Sequence, residues 1–227
     1  MEKRLIMINI TNEDNMLLMA RYPDNYFDLA IVDPPYFSGP DKLGYFGANY
    51  SKTKVKRQNY KVIGEWGVPD EVYFNELKRV SKNQVIWGFN YYNIQNLGSG
   101  RIIWDKVNDA STFSDCEIAY NSCREHVKIF RFMWNGMIQQ DMKNKEIRIH
   151  PTQKPVKLYE WLLSNYAKPN QKILDTHLGS GSIAIAIDNV NKIEKMNLSL
   201  TACELDPDYF KAAMKRIEQQ TAQQTIF

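Results

Sequence analysis

Three cysteines and three histidines are scattered thinly over 227 residues. Cys116, Cys123 and Cys203 are an odd number without paired spacing, and no histidine stands at a ligand interval from any of them. Neither a disulfide framework nor a metal centre is therefore expected. Long apolar runs are missing as well: no stretch approaches a membrane span, and the opening MEKRLIMINITNEDN carries charge early around too short an apolar run for a signal peptide. A reducing cytoplasm is the expected compartment. Internal repeats and Pro/Ser-rich linkers are also lacking, so residues 1–227 read as one domain. An excess of charge of one sign is absent too, since 29 Lys+Arg against 26 Asp+Glu leave only +3.

With 44% hydrophobic and 24% charged residues, the chain has the composition of a soluble globular protein with a sizeable core. Its charge is unevenly spread. Between Phe37 and Lys61 stand Lys42, Lys52, Lys54, Lys56, Arg57 and Lys61 against Asp41 alone. Between Arg124 and Lys157 eight basic residues face Glu125, Asp141 and Glu146. Solvated loops would explain either run, but two basic loops flanking a candidate site point to nucleic acid.

Short Ile/Val-rich runs bounded by Gly, Pro, Asn or Asp predict strands at 5–10, 28–32, 84–88, 101–105, 117–121, 127–132, 172–176 and 199–203. Helical spacing predicts helices over 70–80, with Val72, Tyr73, Leu77 and Val80 on one face, over 156–166, from 183 to about 190, and over 209–220. The alternation predicts an α/β fold with a mostly parallel sheet of seven or eight strands, helices on both faces, and an antiparallel hairpin of 117–121 and 127–132 at one edge. Ligands in such sheets sit beyond the carboxyl ends of the strands.

Two stretches fall there. In IVDPPYFSG (31–39) an apolar run ends in Asp33-Pro34-Pro35-Tyr36. Proline cannot donate to a sheet ladder and holds the preceding residue extended, so this turn is stiff. It aims one carboxylate, the proline carbonyls and one ring from a fixed platform. In ILDTHLGSGSIAIA (173–186) a strand ends at Asp175 and a loop with Gly179 and Gly181 leads into a helix near Ser182. Glycines let a backbone approach a ligand, and a helix N-terminus favours an anion. The full G-x-G-x-x-G spacing is missing. About twenty residues on, the next strand ends at Glu204, where a carboxylate can accept both ribose hydroxyls of a nucleoside.

DPPY (33–36), HPTQKP (150–155), the loop with LGSG (178–181) and CELD (203–206), in that order, resemble the S-adenosylmethionine-dependent amino methyltransferases of DNA, with the permuted motif order called beta. The resemblance covers nearly the whole chain and implies a Rossmann-like methyltransferase fold. It implies S-adenosyl-L-methionine as cofactor, held by Asp14, Thr152, Lys154, Asp175, Leu178, Gly179, Ser180, Gly181, Ser182, Glu204 and Leu205. Asp14 would meet the adenine, and Thr152 and Lys154 the methionine end, where Lys154 neutralises the carboxylate. Asp33, Pro34, Pro35 and Tyr36 become the catalytic turn. Asp33 and the Pro34 carbonyl accept the amine hydrogens, and Tyr36 stacks on a flipped base. The family's loop commonly reads D-P-F-x-G-S-G-T, so His177 stands here where an aromatic is usual.

An aspartate at this place of the motif accompanies adenine N6 targets in the family, so the implied reaction is adenine N6 methylation of double-stranded DNA. Cytosine N4, an adenine in RNA, and a catalytically silent nucleic-acid-binding subunit are the alternatives. No long target-recognition insert is present. The DNA-facing segments are expected at 37–62, where Lys52, Lys54, Lys56 and Arg57 would meet phosphates, and at 135–149. So small a surface predicts a homodimer on DNA.

Overall fold

The computed structural model describes residues 8–36, 67–108, 114–135 and 138–222. The basic segment 37–62, with Lys52, Lys54, Lys56 and Arg57, therefore lies outside the described residues.

Eight strands form the main sheet: β1 (Ile8–Asn12), β2 (Leu29–Val32), β3 (Gln84–Trp87), β4 (Arg101–Asp105), β5 (Cys116–Asn121), β6 (Val127–Arg131), β9 (Lys172–Asp175) and β10 (Ser199–Glu204). A separate two-stranded ribbon is made by β7 (Trp134–Asn135) and β8 (Ile138–Gln139). The helices are α1 (Asn15–Met19), α2 (Glu71–Val80), α3 (Val156–Tyr166), α4 (Ser182–Ile193) and α5 (Pro207–Ala222). The sheet runs β1-β10-β9-β2-β3-β5-β4-β6. The first five strands are parallel, β5 is antiparallel to both neighbours, and β6 is parallel to β4.

The strands alternate in the direction of their side chains, as a sheet covered on both faces requires. Leu29, Ile31, Val85, Trp87 and Ile173 join the core under α3, α4 and α5. Ala30, Val32, Ile86 and Leu174 join the opposite core with Leu18, Met19, Phe74 and Leu77 of α1 and α2. The Trp87 side chain is wholly buried. Val72 does not share the buried face of α2: it is exposed, and Phe74 takes the place expected for it.

The edge hairpin takes a different form from the one expected. Residues 116–121 and 127–131 run antiparallel but do not pair, because β4 lies between them. A short connector suggests local pairing, yet Ala119 and Tyr120 are buried enough to need a partner on both sides, and VKIFR is mostly exposed and suits an edge. Gly100 makes the crossing possible. A Cβ there would overlap the carbonyls of Asn121 and Arg124, which pass directly over the start of β4.

Candidate active site

The chain order of the strands reverses between β9 and β2, so a crevice opens at their carboxyl ends, where open α/β sheets bind ligands. It is a cavity of about 740 Å³, the size of a pocket for a drug-sized molecule. Asp33, Pro34, Pro35 and Tyr36 line one part of it, and Asp14, Leu178, Gly179, Ser180, Glu204 and Leu205 another. Thr152 and Lys154 complete the wall. Three expected cofactor residues, Asp175, Gly181 and Ser182, are buried behind the lining rather than in it.

The Asp33-Pro34-Pro35-Tyr36 turn leaves β2 without regular secondary structure, as its prolines require. Tyr36 stacks on Tyr91 at 4.6 Å between ring centroids and 9° between planes. The Tyr92 hydroxyl donates to the Pro34 carbonyl at 2.7 Å, which leaves that oxygen one further lone pair. Tyr91 is the last residue of a 3-10 turn over Phe89–Tyr91, and Tyr92 follows it. The run VIWGFNYY shows aromatics there, but not which ring meets the turn.

Lys154 sits between two carboxylates. Its ammonium is 2.5 Å from Asp33 Oδ2 and 2.9 Å from Glu117 Oε2, and Lys106 Nζ is 2.5 Å from Glu117 Oε1. The lysine is therefore turned toward the Asp33-Pro34-Pro35-Tyr36 turn and not held free for a ligand carboxylate. Burial alone would lower its pKa, but the two carboxylates outweigh it and hold the group above its ordinary value. Burial would raise Glu117, yet Lys154 and Lys106 bring it down to about 2. Asp33 is raised, with burial prevailing over the attraction of Lys154. Its Oδ1 is buried without a hydrogen-bond partner among the described residues, a costly state that asks for a donor.

On the other side, Gly179 N donates to Glu204 Oε2 at 2.8 Å and Asp206 N to Oε1 at 3.0 Å, which fixes the carboxylate across the loop. Asn12 Nδ2 holds the carbonyls of Glu204 and Leu205. Asp14 caps α1, accepting from Met16 N at 2.8 Å. The Thr152 hydroxyl lies 3.1 Å from His150 Nδ1. Gly181 is required by packing: its φ is +76°, and a Cβ would stand 2.8 Å from Ile217 Cδ1 of α5. Ser182 Oγ donates to the Lys154 carbonyl at 2.8 Å, tying the Gly loop to the lysine.

Two networks escaped sequence reasoning. Tyr73 Oη, Thr176 Oγ1 and His177 Nδ1 form a chain at 2.6 and 2.9 Å, and Asn15 Nδ2 meets His177 Nε2 at 3.1 Å. Burial takes His177 down to about 4, so the ring is neutral at pH 7. Its place on the loop is thus that of a hydrogen-bonded polar ring. Arg216 Nη1 donates to the Ser180 carbonyl at 2.8 Å and Nη2 to Glu146 Oε2 at 2.7 Å, while Glu146 Oε1 accepts from Val156 N at the start of α3. A charged residue amid the apolar stripe of α5 was the available signal.

Asp175 carries a stability prediction. Burial pushes its carboxyl up to about 8, although His177 N donates to it at 3.0 Å. The folded chain then keeps a proton that the unfolded chain releases near pH 4, so stability falls as pH rises from about 4 to 8. The slope expected from this group is about 1.4 kcal/mol per pH unit inside that window. Asp175→Asn keeps an acceptor for His177 N and should flatten the decline in urea melts taken at pH 5, 6.5 and 8. An unchanged slope would show that Asp175 is ionised throughout.

A nucleoside-sized crevice at a switch point, fixed by a Gly loop on one side and facing a buried acceptor on the other, is that of a two-substrate α/β enzyme. The particular family follows from comparison: the chain belongs to the DNA methylase family, whose N6/N4 methylase model matches residues 50–215. It is similar to the type II methyltransferase M2.MboI of Moraxella bovis, with 27% identity over 220 residues covering 78% of each protein. The type II methyltransferase M2.DpnII of Streptococcus pneumoniae is 20% identical over 251 residues, covering 92% of this chain and 89% of that one. Among solved structures, the cytosine-N4-specific PvuII DNA methyltransferase superposes with a TM-score of 0.54 at 14% identity, over 96% of this chain and 93% of that one. An M1.HpyAVI–SAM complex does so with a TM-score of 0.50 at 18% identity, over 92% and 100%. These likenesses show the Rossmann-like methyltransferase fold.

Proposed function

We propose that the protein transfers a methyl group from S-adenosylmethionine to the exocyclic N6 of adenine in double-stranded DNA, by direct in-line displacement on a flipped base. The observation that carries this reading is the Asp33 carboxylate in the cavity lining, with one oxygen held by Lys154 and the other buried without a hydrogen-bond partner among the described residues. The donor, when bound, supplies an electrophilic sulfonium methyl. An adenine amine is a weak nucleophile because its lone pair is delocalised into the ring. Asp33 Oδ1 accepts one amine hydrogen and the Pro34 carbonyl the other, which draws the lone pair out of conjugation toward the methyl. The N–CH3 bond forms as the S–CH3 bond breaks, the sulfur leaves as the neutral thioether, and the surplus amine proton passes along its hydrogen bond to Asp33 and on to solvent. Placement and fixed charge then supply most of the catalysis. Tyr36, backed by Tyr91, stacks on the base once it has left the duplex.

Glu204 accepts the ribose hydroxyls, Leu205 and Asp14 meet the adenine end, Gly179 and Ser180 give backbone approach, and Thr152 faces the methionine end. Lys154, assigned to the donor carboxylate on sequence grounds, instead belongs with Asp33. Lys52, Lys54, Lys56 and Arg57 are proposed phosphate contacts of a homodimer, whose mass light scattering would report. Among the described residues no helix is long and apolar enough to cross a membrane, and the cytoplasm is the proposed compartment.

Incubation with labelled donor and separate DNA and RNA, followed by nucleoside analysis, tests the reading. N6-methyldeoxyadenosine from DNA is expected. N4-methyldeoxycytidine, or label confined to RNA, would overturn the choice of acceptor. For the donor, Glu204→Ala should weaken S-adenosylmethionine binding by roughly 1.5–3 kcal/mol, the range for a hydrogen bond to a charged group. Calorimetry showing unchanged affinity would remove Glu204 from the site.

A further inference from the structure

Asp33, Lys154, Glu117 and Lys106 form one row of alternating charge across the end of the sheet. Asp33 follows β2, Glu117 belongs to β5 and Lys106 follows β4, so the row passes over β3, which supplies no charge to it. There Lys154 Nζ lies 5.5 Å from the Trp87 ring centroid, and Lys106 Nζ lies 5.2 Å from that of Trp104. Glu117 is brought to this place by the insertion of β5 between β3 and β4, in register with Trp104. The two carboxylates and two ammoniums sum to zero, which is how a buried row of charges is tolerated. Asp33 and Lys154 line the cavity, but Glu117 and Lys106 do not.

From this arrangement we infer that Glu117 and Lys106 are positioning residues for methyl transfer: they hold the Lys154 ammonium on Oδ2 of Asp33, so that Oδ1 alone is presented to the target amine. The inference rests on the reading of Asp33 as the amine acceptor. Without Glu117 the ammonium has only Asp33 to bind and can bridge both of its oxygens, competing with the amine. Without Lys106, Glu117 carries an unbalanced charge toward the turn. The two changes act on Asp33 with opposite sign, since Glu117 raises its pKa and Lys106 lowers it. Among the described residues Tyr92, Tyr159, Asp175 and His150 also face the row, and they are unchanged in either variant.

The test is the titration of the Asp33 carboxyl carbon by NMR in uniformly labelled protein without ligand, the resonance being assigned with Asp33→Asn. Glu117→Gln should move the midpoint down by about one pH unit and Lys106→Met should move it up by about as much. The double variant restores a neutral pair and should return close to the wild-type midpoint. The acid limb of the single-turnover methylation rate should move the same way in each variant. S-adenosylmethionine affinity by calorimetry should stay within a few-fold, because neither residue lines the cavity. Shifts of the same sign, or midpoints unmoved in all variants, would overturn the inference and reduce both residues to packing. If Glu117→Gln does not fold, the upward shift of Lys106→Met and its reversal in the double variant decide the matter. If no DNA is methylated by the wild type, or Asp33→Asn stays active, the amine-acceptor reading fails instead, and the titration still reports whether the array acts on Asp33.

Discussion

Asp33→Ala should cut methyl transfer at least a hundredfold, a loss of about 2.7 kcal/mol of transition-state stabilisation. On the proposed reading the carboxylate addresses the target amine, whereas Glu204, Leu205 and Asp14, in another part of the cavity lining, meet the nucleoside end of the donor. Donor affinity should consequently change only a few-fold. Single-turnover transfer from labelled S-adenosylmethionine, with calorimetry of the donor alone, separates the two. A variant that keeps more than about a tenth of the wild-type rate, a loss under roughly 1.4 kcal/mol, would show that Asp33 is not the acceptor. A variant that loses donor binding altogether would show that its carboxylate serves the wrong substrate for this account.

Lys154→Met should destabilise the fold by about 3–5 kcal/mol at pH 7.5, the cost of leaving a buried charge without its partner. Here the ammonium serves two carboxylates, Asp33 and Glu117, and only the latter has Lys106 as a second partner. Removing it raises the folded-state pKa of both acids and takes Asp33, already raised by burial, further above its unfolded value. A carboxyl raised in this way burdens the fold above its unfolded pKa and is relieved as pH falls and it takes up a proton. The loss should therefore be smaller at pH 5 than at pH 7.5, the reverse of an ordinary surface ion pair lost to acid. Urea melts at the two pH values measure it. A loss under about 1 kcal/mol at pH 7.5 would place the lysine among weak surface pairs, and a loss independent of pH would contradict the buried array.

The parallel half of the sheet was legible because each strand carries its own signal. Leu29–Val32 and Ile173–Asp175 are short apolar runs that end at a turn or a loop, and the turns named the cavity before any geometry was known. Pairing beyond the nearest neighbour was not legible. The insertion of β5 between β3 and β4 depends on a long-range match of buried surfaces and on a glycine at position 100, neither of which has a local period. The ribbon of β7 and β8 has two residues per strand, too few for a pattern, and α1 has five.

The site divides in the same way. Asp33, Glu204, Gly179 and Ser180 belong to motifs visible in the sequence and line the cavity. Lys154 was found as a residue but not as a partner, since nothing in HPTQKP says which carboxylates 37 and 121 residues away will meet it. Glu117, Lys106, Arg216 and Tyr92 act through contacts that only the folded chain creates. Gly181 and Ser182 were grouped with the ligand because they share the loop, but they brace it from behind against α5 and the Lys154 carbonyl.

The most direct measurement is modification-sensitive sequencing of DNA from cells expressing the wild-type chain and, separately, Asp33→Ala. The account predicts N6-methyladenine at one recurrent short sequence with the wild type and no mark with the variant. Modified cytosine, or adenine marks that persist in the variant, would contradict it.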